Sequence, residues 1–193
     1  MPQPISLEEI GTVTVVRFTR PQRRNPLSIE VLERLTGIVE RVAQAPDVSK
    51  LIFTGTDGVF ASGADLREIA TVTADTAPNF ALRGQRLMNA IAGLDVPTIA
   101  AINGFCLGGG MDLALACSRR LASPEAVFAH PGADLGIMTG WGGTQRLPRL
   151  VGEANALEMF FTAKRVDARE ALRIGLVDAV VSDPLSEALN SPS

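Results

Sequence analysis

The feature that most constrains this chain is a triple glycine between an expected strand and an expected helix. Thr98–Ile102 is a short apolar run typical of a buried strand, and Asn103-Gly-Phe-Cys-Leu-Gly-Gly-Gly-Met-Asp-Leu113 follows it. Glycines before a helix let the backbone turn tightly and leave peptide N–H groups without partners, which favours bound negative charge. A phosphate fits such a turn, and so does a carbonyl oxygen that becomes an enolate.

Known phosphate and nucleophile motifs do not fit the glycines. The Gly-x-Gly-x-x-Gly spacing fails because the position of the later glycine is Leu113, and no Gly-Lys-Ser/Thr loop occurs. Ser62 lacks the glycine two positions before it that a nucleophile elbow needs. By itself, the triple glycine is equally explained by close packing. A second turn, Phe60-Ala-Ser-Gly-Ala-Asp-Leu66, also precedes an expected helix and gives the pattern more weight.

Strands and helices are expected to alternate along the chain, which indicates an α/β protein. Alternating or buried apolar runs predict strands, and three- and four-residue apolar spacing predicts helices. Ser28 is an expected N-cap for the first helix. The expected strands are 12–18, 51–54, 98–102 and 126–129; helices are expected after Ser28, over 79–94, from near Gly109 and from 143 to 175, before a last apolar run at 176–181.

Composition excludes several classes of protein. A net charge of −3 gives no electrostatic support for nucleic-acid binding. No apolar run reaches the length of about 20 residues that a membrane helix needs, and Met1-Pro-Gln-Pro lacks the regions of a signal peptide, so a cytoplasmic protein is expected. Cys106 and Cys117 are interpreted as buried thiols. With one histidine, His130, no metal site and no metal or redox cofactor are expected.

Several motifs together resemble the crotonase superfamily, which includes the enoyl-CoA hydratases and isomerases. The two glycine turns are followed by Gly142-Gly-Thr-Gln-Arg-Leu-Pro-Arg-Leu-Val-Gly152, and Arg24-Asn-Pro-Leu27 and Ala171-Leu-Arg-Ile-Gly-Leu-Val-Asp178 match two further family stretches. The resemblance covers residues 10–183 in the family's order. It implies the ClpP/crotonase fold, with repeated ββα units and a twisted sheet flanked by helices, and assembly into trimers or hexamers.

The resemblance also implies an acyl-CoA substrate, with coenzyme A entering as part of it. The backbone N–H groups of Ala64 and Gly109 correspond to the family's oxyanion hole, which stabilises an enolate. Arg24 and Arg67 are possible phosphate partners, although for Arg67 a solvated helix charge is at least as good an explanation. The implied substrate-binding residues are Arg24, Pro26, Ala61, Ser62, Ala64, Asp65, Leu66, Leu107, Gly108, Gly109, Pro131 and Gly132.

The expected acid/base residues depart from the hydratase pattern, which uses two glutamates. Asp112 stands at the first position, one methylene shorter, and is interpreted as a catalytic acid/base or as a helix-capping carboxylate. Gly132 stands at the second and carries no side chain. If Gly132–Asp134 is extended, Asp134 and His130 flank this gap; Asp134 is then a candidate catalytic residue, while His130 is interpreted as structural. Trp141 either fills the space of the missing glutamate or shapes the acyl pocket.

These observations predict an acyl-CoA domain over 1–183 and a short polar tail over 184–193, without the C-terminal helices usual in the family. The favoured function is that of an enoyl-CoA hydratase/isomerase. Two alternatives remain open. One is another crotonase reaction, such as dienoyl-CoA isomerisation or thioester hydrolysis, and the other is non-catalytic acyl-CoA binding.

Overall fold

Strands and helices alternate along residues 3–192, the part of the chain that the computed structural model describes. The strands are β1 (Ile5–Ile10), β2 (Val13–Phe18), β3 (Pro26–Leu27), β4 (Lys50–Thr54), β5 (Val59–Ala61), β6 (Gly63–Ala64), β7 (Thr98–Ile102), β8 (Phe105–Leu107), β9 (Arg119–Ala122), β10 (Val127–Ala129), β11 (Val166–Asp167) and β12 (Ala179–Val180). The helices are α1 (Ile29–Gln44), α2 (Leu66–Ile69), α3 (Ala77–Ala92), α4 (Gly109–Ala116), α5 (Gly132–Leu135), α6 (Gly143–Val151), α7 (Glu153–Thr162), α8 (Ala168–Arg173) and α9 (Pro184–Asn190).

The strands form two larger sheets and one short pair. The large sheet has the order β1-β2-β4-β7-β9-β12, and only β1 and β2 run antiparallel. The smaller sheet has the order β11-β10-β8-β5, in which only β10 and β11 run antiparallel. Strands β4, β7 and β9 lie in the large sheet, whereas β5, β8 and β10, which follow them, lie in the smaller one. A helix follows each unit, so the predicted α/β fold of repeated ββα units is confirmed.

Helix α1 forms where its apolar spacing predicts. The Ser28 side chain accepts a hydrogen bond from the Val31 N–H at 3.4 Å, which confirms Ser28 as the N-cap. The helix buries one apolar face, which includes Leu32, Leu35 and Val39. This face packs into the main core, so hydrophobic burial holds the helix in place.

Helix α4 lies at the centre of the molecule. Seven of its eight residues are buried, and it contacts strands of both larger sheets as well as α3 and α6. A helix that is apolar on all sides is stable only when it is surrounded by protein. Asp112 lies in the first turn of this helix, so the fold removes its carboxyl group from water.

Several segments differ from the sequence prediction. Strands β1 and β9 were not predicted, and the stretch expected to be helical from 143 to 175 is interrupted by β11. Residues 184–190 of the expected polar tail form α9. Its Ala188 is fully buried with Val15, Ile52 and Ile99 on the large sheet. Residues 1, 2 and 193, which the expected domain and tail include, lie outside the described residues.

Lys50 connects α9 to the sheet. It is 1 % exposed in β4, and its Nζ donates hydrogen bonds to the carbonyl oxygens of Ala188 at 2.9 Å and Ser191 at 2.5 Å. Ala188 lies in the last turn of the helix, where its carbonyl also accepts a hydrogen bond from the hydroxyl of the C-cap residue Ser191. A cation is favourable at this end of a helix. The helix therefore belongs to the folded unit.

Two further predictions concern the chain as a whole. Cys106 and Cys117 are both buried free thiols, as interpreted from the sequence. Across the described range, 3–192, no helix has the length and apolar character that crossing a bilayer requires.

Candidate active site

A cleft of about 850 Å³ brings the sequence-predicted site residues together. Its walls come from β3, β6, α2, the start of α4 and the segment that follows β10. The predicted residues that line it are Arg24, Pro26, Ser62, Ala64, Asp65, Leu66, Leu107, Gly108, Gly109, Asp112, Pro131, Gly132 and Asp134. Residues that are distant in sequence thus surround one space.

Ala61 is the predicted substrate-binding residue that does not line the cleft. It is 0 % exposed, and a Cβ placed on Gly110 would lie 2.4 Å from the Ala61 carbonyl oxygen. Ala61 therefore lies beneath the site, where it packs closely against the first turn of α4.

The two glycine turns meet in the cleft. Gly63 has a φ of +90°, and a Cβ placed on it would lie 2.5 Å from the Gly109 nitrogen. A Cβ placed on Gly109 would lie 3.4 Å from the Ala64 nitrogen. Because a Cβ lies about 2.5 Å from its own amide nitrogen, the Ala64 and Gly109 nitrogens are no more than about 6 Å apart. One oxygen with hydrogen bonds of about 2.9 Å can span nearly this distance.

Asp112 is the buried acidic group of the site. Its side chain is 0 % exposed, and the Thr139 hydroxyl donates a hydrogen bond to its Oδ2. Oδ1 accepts no hydrogen bond from a side chain among residues 3–192, while the backbone N–H groups of Trp141 and Gly143 lie near the carboxyl group and lower its pKa. Burial raises the pKa of Asp112 to about 7, although the Thr139 hydrogen bond lowers it. A carboxyl group that titrates near neutral pH is suited to both accept and release a proton.

His130 lies beside this carboxyl group. It follows β10, and its Nε2 is 3.7 Å from the Asp112 Oδ1. Its ring is 3 % exposed and packs against Phe160 with the ring centroids 5.0 Å apart. Neither ring nitrogen has a hydrogen-bond partner among residues 3–192. Burial lowers the pKa of His130 to about 4, so the imidazole is neutral at pH 7.

Gly143 provides the space in which these side chains meet. A Cβ placed on it would lie 2.2 Å from the Asp112 Oδ1, 2.9 Å from the Thr139 Cγ2 and 3.1 Å from the His130 Cε1. The backbone of α6 therefore approaches all three side chains directly. Any residue larger than glycine at this position would displace them.

The segment after Pro131 differs from the expected extended conformation. Residues 132–135 form the single-turn helix α5, and the Ile137 N–H returns to the Gly132 carbonyl at 2.9 Å. Asp134 is therefore exposed at the cleft, and the extended geometry that was to place it with His130 around the gap is wrong. A Cβ placed on Gly132 would lie 2.4 Å from the Ile137 carbonyl oxygen, so the turn itself requires glycine.

Trp141 packs against the glycine turn. Its ring is 3 % exposed and lies between two glycines, since a Cβ on Gly84 would be 2.2 Å from its Cδ1 and a Cβ on Gly109 would be 2.4 Å from its Cζ3. Phe80 contacts it with ring centroids 5.8 Å apart. The indole thus fills the space between these two glycines and lines the cleft next to Gly109. Whether it fills the space of the missing glutamate or shapes the acyl pocket stays a prediction.

Sequence reasoning missed several residues of the cleft. The most important is Thr139, because only the folded chain places it against Asp112, 27 residues away. Several mostly apolar residues were also not predicted to line the cleft, because hydrophobicity alone does not distinguish a cleft residue from a core residue. The missed lining residues include Phe80, Leu135, Ile137, Met138 and Arg165.

Fold and site together define the class of protein. Residues 8–190 match the Enoyl-CoA hydratase/isomerase family, so the chain belongs to that family and to the crotonase superfamily. This confirms the resemblance and the fold predicted from the two glycine turns.

Particular relatives agree with this assignment. The chain is similar to a short-chain-enoyl-CoA hydratase of Clostridium acetobutylicum, with 39% identity over 97% of this chain and 71% of the relative. It is also similar to a crotonyl-CoA hydratase of Syntrophomonas wolfei, with 42% identity over 92% of this chain and 68% of the relative.

Solved structures show the same fold. The structure of Pseudomonas aeruginosa DspI superposes with a TM-score of 0.92 at 36% identity, over 97% of this chain and 78% of that one. An enoyl-CoA hydratase from Bacillus anthracis gives a TM-score of 0.88 at 37% identity, over 93% of this chain and 70% of that one.

Proposed function

We propose that the protein adds water across the C2=C3 double bond of 2-enoyl-CoA thioesters. The observation that carries this proposal is the meeting of Asp112 with the two glycine turns in one cleft. Burial gives that carboxyl group a pKa of about 7, in the range that suits general acid–base chemistry. The similarity to enoyl-CoA hydratases supports the same reaction class.

The thioester oxygen is proposed to accept hydrogen bonds from the N–H groups of Ala64 and Gly109. Gly109 is the first residue of α4, so its N–H has no carbonyl partner in the helix. The helix dipole adds to the stabilisation of negative charge at this end. Removing one donor of this kind typically reduces kcat by about 10²–10³.

Asp112 is proposed to act as the acid/base. Its ionised form accepts a proton as water attacks C3, and its protonated form supplies the proton that C2 requires. A group with a pKa near 7 holds both forms at neutral pH, so one carboxyl group suffices for both steps. A catalytic contribution of Asp134 stays a prediction. Comparing the kcat of Asp134→Asn with that of wild type would test it.

The outer cleft is proposed to bind the rest of the substrate. Arg24 and Arg67 are exposed cations on its wall, suited to the phosphates of coenzyme A. Leu66, Leu135 and Met138 are 57%, 50% and 49% exposed and offer an apolar surface to the acyl chain. Trimeric or hexameric assembly and a cytoplasmic location also stay predictions.

The test is turnover of crotonyl-CoA and of longer 2-enoyl-CoA esters, followed by loss of the conjugated thioester absorbance. We expect wild type to hydrate at least one ester. Asp112→Asn, which keeps the size of the side chain, should reduce kcat by about 10²–10⁴ because it removes the acid/base. Asp47→Asn, an exposed carboxylate outside the cleft, is the control and should retain kcat.

Two results would contradict the proposal. Turnover of a dienoyl-CoA or a saturated acyl-CoA without hydration of any 2-enoyl ester would indicate another reaction of the superfamily. Binding of every ester without turnover would indicate an acyl-CoA-binding protein.

A further inference from the structure

The position of Asp112 raises a problem for direct catalysis. Asp112 borders the cleft, yet its side chain is 0 % exposed, its Oδ2 accepts the Thr139 hydrogen bond and its Oδ1 lies 3.7 Å from the His130 Nε2. Proton transfer requires contact at hydrogen-bond distance between the acid/base and the group that gains or loses the proton. A buried carboxyl group therefore needs an intermediate group that reaches the cleft.

Thr139 satisfies this requirement. Its hydroxyl donates a hydrogen bond to the Asp112 Oδ2, and the residue is partly exposed and lines the cleft. A hydroxyl group both donates and accepts hydrogen bonds, so it can receive one proton while it gives up another. Among the described side chains, Thr139 is the one whose hydrogen bond reaches the Asp112 carboxyl group.

We propose that the Thr139 hydroxyl relays protons between the buried Asp112 carboxyl group and the reacting atoms in the cleft. This inference rests on the proposed hydration and names the side chain that touches the water molecule. Asp112 then acts through Thr139.

The relay balances protons and electrons. When the water oxygen bonds to C3, one water proton passes to the Thr139 Oγ1 as the Thr139 proton passes to the Asp112 Oδ2. The π electrons of C2=C3 move to the thioester oxygen and form the enolate. In the return step Asp112 reprotonates Thr139, whose proton goes to C2 as the enolate collapses. The net result is addition of one H and one OH, with Thr139 and Asp112 restored.

His130 is proposed to position the carboxyl group for this relay. The Nε2 of its neutral ring lies 3.7 Å from the Asp112 Oδ1, and the Phe160 ring packs against the imidazole. At this distance the ring occupies the Oδ1 side of the carboxyl group without a hydrogen bond, and Oδ2 is the oxygen that Thr139 contacts. Gly143 keeps the three side chains together, as no Cβ separates them.

The test compares Thr139→Val with Thr139→Ser. Valine keeps the size and branching of threonine but lacks the hydroxyl, whereas serine keeps the hydroxyl. We expect Thr139→Val to lower kcat for 2-enoyl-CoA hydration by about 10²–10³. Thr139→Ser should stay within about tenfold of wild type, since it preserves the relay. Melting temperature and the Kd of unreactive butyryl-CoA control for folding and substrate binding.

A second measurement separates a relay from a residue that only holds Asp112. In single-turnover reactions at varied deuterium content, two protons moving together give a curved dependence of rate on the deuterium fraction. We expect this curve for wild type and Thr139→Ser. A linear dependence, or equal kcat for Thr139→Val and Thr139→Ser, would overturn the relay.

Failure of the relay is distinguishable from failure of the proposed function. If wild type hydrates no 2-enoyl-CoA, the hydratase proposal fails. The relay is then tested by exchange of the α-protons of butyryl-CoA with D2O, followed by NMR. Slower exchange in Thr139→Val than in Thr139→Ser supports it, and equal or absent exchange overturns it.

Discussion

Asp112 occupies a position where ionisation is costly. Its pKa of about 7 lies above the ordinary value of 3.8, because burial disfavours the charged form. Between these two values the folded state retains a proton that the unfolded state has lost. Stability contributed by this group is therefore present at low pH and decreases as the pH rises from about 4 to about 7.

Asp112→Asn should remove this decrease. Relative to wild type, its free energy of unfolding should rise by about 2–3 kcal/mol between pH 5 and pH 8. The ionisable groups that face Asp112, namely His130, Arg146 and Cys106, remain in the variant. Chemical denaturation at the two pH values measures the difference. A difference that is constant with pH would contradict the raised pKa.

Gly132, where the family resemblance led us to expect a glutamate, lies in a turn that leaves no room for a side chain. A Cβ there would lie 2.4 Å from the Ile137 carbonyl oxygen, so Gly132→Glu should disrupt the turn and should not increase kcat. Gly132→Ala should cost about 1–3 kcal/mol of stability through overpacking. Gly140→Ala is the control: its Cβ meets only the Ala81 Cβ at 3.8 Å, and the melting temperature should stay close to that of wild type.

At the scale of elements, Trp141 holds α3 and α4 together. The ring fills a space that exists only because Gly84 in α3 and Gly109 in α4 lack side chains. Gly84→Ala should cost about 1–3 kcal/mol because its Cβ would overlap the indole. In the Trp141→Ala background this cost should largely disappear.

A double-mutant cycle measured by denaturation tests this packing. We expect a coupling energy of about 1–3 kcal/mol between positions 84 and 141. Gly37→Ala in α1 is the matched control, since nothing lies within 4 Å of its Cβ. It should stabilise the protein by up to about 1 kcal/mol in either background. Additive effects of Gly84→Ala and Trp141→Ala on stability would contradict the packing of the indole against Gly84.

Elements with regular apolar spacing were predictable from the sequence, as α1, β4 and β7 were. Strands β1 and β9 were not, because Glu8 and Glu9 in one and Arg119 and Arg120 in the other interrupt the apolar pattern. The glycine turns indicated where backbone amides meet. The contact between Thr139 and Asp112 depends on how α5 folds back, which no local pattern encodes.

At the scale of the molecule, α9 completes the cover of the large sheet. Lys50→Met should remove the Nζ donor from the carbonyl groups of Ala188 and Ser191 and loosen the helix, although the Ala188 carbonyl keeps the Ser191 hydroxyl as a donor. Hydrogen exchange in 184–190 should become about tenfold faster or more, as a loss of about 1.4 kcal/mol requires. Lys164→Met, which affects an exposed ion pair with Glu158, should leave exchange in α9 unchanged. Unchanged protection in Lys50→Met would show that the apolar contacts of α9 suffice.

Trp141 also makes the intrinsic fluorescence of the protein a reporter of the cleft. Trp141 is the one tryptophan in the sequence, and tyrosine is absent, so emission excited near the red edge of protein absorption arises from a single ring. That ring borders the cleft beside Gly109. An arriving thioester would alter the polarity and quenching around it, so acyl-CoA occupancy can be followed in unlabelled protein without waiting for turnover.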